Sequence, residues 1–408
     1  MKIWIVQTGE PLHIDDQRLR PMRAINLSRK LAREGNEVLV ISSDFDHYSK
    51  LHRNRANVEI HVEKGLSLFL ISSPGYSKHI SIRRFWDHII LGLNLQKNLS
   101  KLPRPDVIFI GYPPIETAWV VARWARKTSI PYAIDVKDAW PELFIEVAPK
   151  FFKFPLRILM EPLFRMSTYV MHNSSLIFAT TEPFLEWSLR KSKRERNSID
   201  SMAPLTSQEF EISLEETNNS ARFWDDLGVD DSTIKRIYFV GSITTSYDFT
   251  PLTELARNSN IQVIIAGLGP LRKNLLELSH TIENLIVPGW INQSQQEVLA
   301  KRSLFSVVPL VNRFDFDMSV TNKTIDSLRL GKPVLTSNFG LFESFIGPHG
   351  LGYFYKSQNL KYIIESAVLH PEIHEEFSKR CRQLYDSKFE FHKVYDEIMN
   401  RVKSISTS

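Results

Sequence analysis

The stretch KIWIVQTGEPLHIDDQRLRPMRAINLSRKLAREGNEVLVI, residues 2–41, decides the fold class. Its first run, Ile3 to Val6, is short and β-branched, and Thr8-Gly9-Glu10-Pro11 breaks it. After a polar loop, Pro21 opens a periodic segment in which Ala24, Leu27, Leu31 and Ala32 fall on one helical face. Gly35-Asn36 stops that helix, and Val38 to Ile41 reads as a second buried strand. A strand, loop, helix and strand in this order seed a parallel sheet.

Working outward, the same rhythm returns. Val107 to Ile110 is a strand, Ile115 to Arg126 a helix, Tyr132 to Val136 a strand, and Leu176 to Ala179 another. It restarts with Arg236 to Val240, Ile261 to Ala266, Leu285 to Val287, Phe305 to Val308 and Val334-Leu335. Between the halves, Ser198 to Asp231 is rich in Ser, Asn, Asp and Glu. A linker within 203–232, with a short helix near Phe223 and Trp224, is the reading of that composition. Two doubly wound α/β domains follow, binding ligands at the carboxyl ends of their strands and facing across a cleft.

Composition narrows the function classes. The 408 residues carry 51 basic and 46 acidic side chains, a formal net charge of +5, and 43% hydrophobic residues exclude a disordered chain. The lone cysteine, Cys381, excludes an internal disulfide framework or a cysteine-cluster metal site, and suits a reducing compartment. The start, MKIWIVQTGEP, lacks a signal-peptide core, and no apolar run reaches the ~18 residues of a membrane span. A cytoplasmic protein is expected.

The strongest local pattern is Thr321-Asn322-Lys323, Asp326 and then Gly331-Lys332-Pro333-Val334. A loop here delivers the chain to a helix N-terminus, whose unpaired N–H groups attract anions. Lys323 adds a positive charge in that first turn, and Asp326, three residues on, is a hydroxyl acceptor for a sugar ring. The bland alternative is a surface i,i+3 ion pair.

The segment NKTIDSLRLGKPVLTS, residues 322–337, resembles the donor-site motif of GT-B glycosyltransferases of family 4, particularly bacterial O-antigen and capsule enzymes. The resemblance implies that Lys323 contacts the donor diphosphate and Asp326 the ribose. The family's first acidic position is Met318 here, with Asp317 beside it. Phe239-Val240-Gly241-Ser242 resembles the loop approaching the donor phosphates, but Ile243-Thr244-Thr245-Ser246-Tyr247 follows without the usual basic residue. Ala266-Gly267-Leu268-Gly269-Pro270 resembles the next turn, and Pro288-Gly289-Trp290-Ile291 the lining of the nucleobase pocket.

In the first half, Asp135-Val136-Lys137-Asp138-Ala139-Trp140-Pro141 resembles the family's D-x-x-D-x-W-P phrase. Asp135 and Asp138, at the end of an apolar strand, could orient or deprotonate an acceptor hydroxyl. Gly9, Glu10 and His13, with Arg18, Arg20 and Arg23 after them, resemble the acceptor-side loop, and His13 ranks below Asp138 as a base. The resemblance implies an acceptor-binding Rossmann-like domain over 1–205 and a nucleotide-sugar-binding one over 206–385. A helix over 386–408 would pack back on the first domain.

The function so implied is sugar transfer from a nucleotide diphosphate to a hydroxyl of a glycan or lipid-linked acceptor in surface polysaccharide synthesis. It would retain anomeric configuration and need no metal or other cofactor, with Asp138 and Lys323 as the catalytic groups. Three alternatives remain: a non-catalytic GT-B scaffold, a nucleotide-sugar epimerase, and a nucleic-acid-binding protein, for which no basic helix with interleaved aromatics speaks. Phe151 to Met171, with Lys153, Arg157 and Arg165, is read as a core helix in preference to an interfacial anchor. The basic clusters Lys78 to Arg84 and Lys191 to Arg196 are read as solvated surface. Peripheral contact with the inner face of the cytoplasmic membrane is nonetheless an expectation, because related enzymes act on lipid-linked acceptors.

Overall fold

The computed structural model describes residues 1–16, 19–78, 81–207, 210–231 and 235–406. Arg18 lies outside the described residues. The chain divides into two compact units, one of residues 1–204 with 394–408, the other of residues 205–393.

The first unit runs β1 (Lys2–Val6), α1 (Arg23–Arg33), β2 (Glu37–Ser43), β3 (Glu59–Glu63), β4 (Leu66–Ile71), α2 (Ile82–Leu99), β5 (Val107–Tyr112) and α3 (Ile115–Lys127). It continues with β6 (Tyr132–Val136), α4 (Glu142–Glu146), α5 (Lys150–Leu159), α6 (Glu161–His172), β7 (Leu176–Ala179), α7 (Glu182–Ser192) and β8 (Ser201–Met202). The sheet order is β3-β4-β2-β1-β5-β6-β7-β8. β1 lies between two parallel partners, Ile3 standing opposite Val38 of β2 and Val107 of β5. Strands buried on both faces of a parallel sheet read as near-continuous apolar runs, and β5, β6 and β7 are buried along their whole length, with Asp135 of β6 as their one charged residue. Only β3 is antiparallel, paired with β4.

The second unit runs α8 (Leu214–Asp225), β9 (Arg236–Val240), α9 (Thr250–Asn258), β10 (Gln262–Ala266), α10 (Arg272–Ser279), β11 (Leu285–Gly289), α11 (Gln293–Lys301) and β12 (Phe305–Val308). After these come α12 (Phe314–Asp317), α13 (Asn322–Arg329), β13 (Val334–Thr336), α14 (Phe339–Leu341), β14 (Gly352–Phe354), α15 (Ser357–Leu369), α16 (Pro371–Leu384) and α17 (Phe391–Ser404). Its six strands are ordered β11-β10-β9-β12-β13-β14, and every pairing is parallel. Each sheet turns back at its first strand, β1 or β9, the topological switch point beside which doubly wound sheets place ligands. From residue 394 the chain belongs to the first unit again, where Tyr395 hydroxyl accepts from Asn26 and Asp396 pairs with Lys30 at 2.7 Å.

The division between the units, at residues 204 and 205, falls inside the range read as a linker, and the short helix read near Phe223 and Trp224 is α8. That helix belongs to the second unit and packs on its core through Trp224, which is fully buried in one cluster with Val229, Tyr238 and Ile264. A capping box between Ser213 and Glu216 opens that helix, so its polar residues serve as cap and outer face. Residues 151–171 are not one core helix but α5 and α6, and α5 buries none of its ten residues. The β3–β4 hairpin, turned at Gly65, was not anticipated; the six apolar and small residues of LSLFLI make β4 a central strand.

Candidate active site

In the second unit the carboxyl ends of β9, β10 and β11 carry the glycine loops, and α13 starts beyond β12. The first two loops approach each other so closely that Gly267 and Gly269 have no room for a side chain. A Cβ on Gly267 would stand 1.8 Å from the Gly241 carbonyl oxygen, and one on Gly241 would stand 2.3 Å from Lys323 Cε. Backbone hydrogen bonds lace the loops together, Gly241 N–H to the Ala266 carbonyl (3.0 Å) and Ile243 N–H to that of Leu268 (2.8 Å).

Lys323 therefore lies across the space that glycine leaves open. Its Nζ donates to the Tyr247 hydroxyl (2.8 Å) and rests 4.5 Å from the centre of that ring and 5.3 Å from the centre of Phe239. Two aromatic faces and one hydroxyl hold the ammonium, and no carboxylate of the described residues pairs with it, a state suited to receiving an anion. Thr321 caps α13, accepting from Thr324 N–H, so Asn322 is the helix's first residue. Asp326 sits half-buried one turn on, with Lys323 on the same side of the helix.

Two groups in this site were not read from the sequence. Tyr247 is the anchor of Lys323, and Arg272 brings a guanidinium to within 3.1 Å of where a Gly289 side chain would begin. Arg272 Nε is buried with no hydrogen-bond partner among the described residues. A tyrosine in a loop and an arginine at a helix start give no spacing signal. Trp290, after β11, is half exposed, and Ser242 is exposed. The carboxylate beside Met318 is engaged elsewhere: Asp317 accepts from Asn338 Nδ2 (3.0 Å) and packs on Gly340.

The first unit has a hollow of about 230 Å³ at the carboxyl ends of β1, β2, β5 and β6, with Gly9, Glu10, Lys137 and Asp138 on its wall. Trp140, Tyr76 and His47 add an aromatic side, and Arg84 lies over the Tyr76 and Trp140 rings at 5.5 and 5.2 Å. Such a lining of flat rings and cations suits a polar sugar or a phosphate-bearing ligand. A larger hollow, about 1020 Å³, opens at the amino-terminal edge of the same sheet by Met1, Asp106 and Ile130, away from where parallel sheets bind ligands.

The remaining first-unit residues separate. Asp135 is fully buried, accepting from Arg23 Nε at 3.1 Å with Lys137 Nζ at 3.4 Å, so it reaches a ligand only through Lys137. Lys137 also pairs with Glu10, whose other oxygen accepts from Ala24 N–H (2.9 Å) at the start of α1. Asp135 is thus the buried counter-ion of two cations and not an acceptor contact, because desolvated charges persist only when paired. His13 stands outside the hollow, its Nε2 against Ser28 Oγ at 3.0 Å. Burial, with Arg29 nearby, lowers its pKa to about 4. Arg20 is half-buried on the same loop and also does not line the hollow.

Beneath the hollow, His88 Nδ1 lies 3.7 Å from Glu116 Oε2. Burial pushes the Glu116 carboxyl up to about 7, and burial together with Arg84 pushes the His88 imidazole down to about 3. Among the described residues no group of three or more His, Cys, Asp or Glu converges to hold a metal ion.

No family model matches the chain, and no curated protein does. Solved structures do. Sucrose-phosphate synthase from Thermosynechococcus elongatus superposes with a TM-score of 0.72 at 13% identity, over 99% of this chain and 98% of that one. HepE from Anabaena, solved with UDP, gives 0.66 at 12% over 99% of each chain. WaaG, a glycosyltransferase involved in lipopolysaccharide biosynthesis, gives 0.61 at 12%, over 98% of this chain and 99% of that one. The chain has the GT-B fold.

Two outcomes follow from this geometry. Gly267→Ala, with a Cβ driven into backbone, destabilises the second unit by more than about 2 kcal/mol in urea unfolding. Gly228→Ala, at a positive φ with open space around it, costs only about 1 kcal/mol, and equal costs would contradict the close approach. The second concerns pH. Glu116 holds a proton in the fold that the unfolded chain releases above 4.5, so its contribution is present at low pH and lost as pH rises toward 7. His88 acts oppositely, favouring the fold above 6.5 and ceasing to do so as pH falls. Glu116→Gln therefore raises the melting temperature near pH ~8 and much less near pH ~5. A shift of the same size at both contradicts the buried acid.

Proposed function

We propose that this protein is a glycosyltransferase that moves a sugar, a hexosyl group, from a nucleotide diphosphate to an acceptor hydroxyl. The observation that carries the reading is the Lys323 ammonium held against the Tyr247 hydroxyl beside Gly241, without a carboxylate partner among the described residues. HepE, which shares the fold, has been solved with UDP-glucose as well as UDP. In this reading the second unit takes the donor. Lys323 and the α13 N-terminus stabilise the leaving diphosphate, Arg272 adds the charge that the Gly241 loop lacks, and Asp326 receives a ribose hydroxyl.

The first unit takes the acceptor in the hollow lined by Gly9, Glu10, Asp138 and Trp140. Asp138 orients the hydroxyl and draws off its proton as the bond to the sugar forms. Glu10 and Asp135 fix Lys137 at the hollow's rim. The transfer retains configuration and requires no metal, since the charge on the departing phosphates is met by protein cations. The acceptor is a glycan, carried on a polyprenyl diphosphate at the inner face of the cytoplasmic membrane during surface-polysaccharide assembly. A non-catalytic scaffold is the second reading, favoured by the diversion of Asp317 to Asn338.

Release of nucleoside diphosphate from a panel of nucleotide sugars, with a lipid-extract acceptor, separates the two. Turnover is expected with one donor. Lys323→Ala lowers kcat by about 10²-fold or more. Asp138→Asn lowers kcat while the KM for donor stays unchanged. Absence of turnover with every donor, in a protein that still binds nucleotide, would leave the scaffold reading in place.

A further inference from the structure

Helix α5 has the sequence KFFKFPLRIL and buries nothing. Phe151, Phe154 and Leu159 are 94%, 74% and 75% exposed, and Phe152 and Ile158 are exposed beside them. Single exposed apolar residues need no explanation, but five large ones on one ten-residue helix make a contiguous patch that does. The first turn of α2 repeats the composition. Ile82 is 89% exposed, and Phe85 and Trp86 are exposed with it, next to Arg83 and Arg84.

A relay of contacts links the two patches. Arg84 lies over the Trp140 ring, Trp140 meets the Phe144 ring of α4 at 4.6 Å, and Glu146 of α4 pairs with Lys153 of α5 at 2.8 Å. This chain of contacts runs along the side of the hollow that Arg84 and Trp140 line. Residues 81–86 and 150–159 together hold five basic residues and no acidic one. The basic run Lys191 to Arg196 differs. Its Lys191, Arg194 and Arg196 are consumed by Glu142, Asp200 and Glu182.

We infer that this edge of the first unit docks on the surface of an anionic lipid bilayer, with the apolar side chains of α5 and the α2 entry in the acyl boundary and their lysines and arginines among the headgroups. No helix of the described residues is long and apolar enough to cross a membrane, and α5 contains Pro155, so the helix lies in the interface plane. The charge decides between occupants. A second copy of this chain docking through the same patch would set one net-basic face, Lys150, Arg157 and Arg83 among its cations, against another, whereas anionic headgroups complement it. Docking does not depend on the proposed reaction. The consequence that the hollow then opens toward a membrane-borne acceptor does rest on that reading.

Flotation with vesicles of phosphatidylcholine alone, or mixed with phosphatidylglycerol, tests it on the full-length protein. The wild type floats with the mixed vesicles, and added salt weakens the association. The combined variant Phe151→Ser, Phe152→Ser and Phe154→Ser lowers the partition on the order of tenfold or more, and so does Ile82→Ser with Trp86→Ser. Both variants keep the wild-type melting temperature, since the residues they change are exposed. A wild type that ignores mixed vesicles, or variants that float undiminished, overturns the inference. So does a concentration-dependent dimer that the serine variants abolish. Nucleoside diphosphate binding, read on the same proteins, fails only if the catalytic reading fails.

Discussion

The second unit is organised by a restriction on space. Three glycine loops end adjacent strands, and the backbone of the first, at Gly241 and Ile243, occupies the volume that side chains on Gly267 and Gly269 of the second would need. Gly267 gives room to the Gly241 carbonyl, and Gly241 gives room to Lys323. The result is an ammonium brought against main chain and two aromatic rings, with a hydroxyl as its hydrogen-bond partner. Such a charge is only partly solvated and, among the described residues, is not spent on a carboxylate. Its electrostatic effect on a ligand is correspondingly large, because the surroundings need not reorganise when charge develops.

The first unit solves a different problem, that of holding charge below a hollow. Asp135 lies in the sheet with no exposure and meets two cations, Arg23 and Lys137, while Lys137 reaches on to Glu10. Buried pairs of this kind contribute little net stability, yet removing one partner costs about 3–5 kcal/mol because the other is left desolvated and alone. Arg23 also donates to the carbonyls of Ala203 and Pro204, tying α1 to the end of the first unit. The same residues thus fix both the hollow's wall and the segment that closes the unit.

Much of this was legible before any coordinates. The parallel strands show as apolar runs ended by glycine, and the apolar face around Ala24, Leu27 and Leu31 marks α1. Lys323 and the glycine loops, brought together in space, lie in segments that the resemblance singled out. What was hidden has physical reasons. Periodicity reports that a helix has an apolar face and says nothing of which solvent meets it, so α5 reads the same whether it faces a core or a lipid surface. Polar composition located the division between the units but not how far the second unit reaches back, since α8 shows few apolar residues besides the buried Trp224. Asp135 and Asp138, three apart, differ by burial, which spacing does not encode. Tyr247 and Arg272 act through positions that only the folded loops define.

The central claim is that Lys323 is the cation for a nucleoside diphosphate. Titration calorimetry of UDP, GDP, ADP and dTDP against the wild type and Lys323→Ala measures this directly. The account predicts micromolar binding of one of these nucleotides, with its monophosphate weaker, and a loss of about tenfold or more in Lys323→Ala. Equal affinity in the two proteins, or no binding of any nucleotide to the wild type, would contradict it.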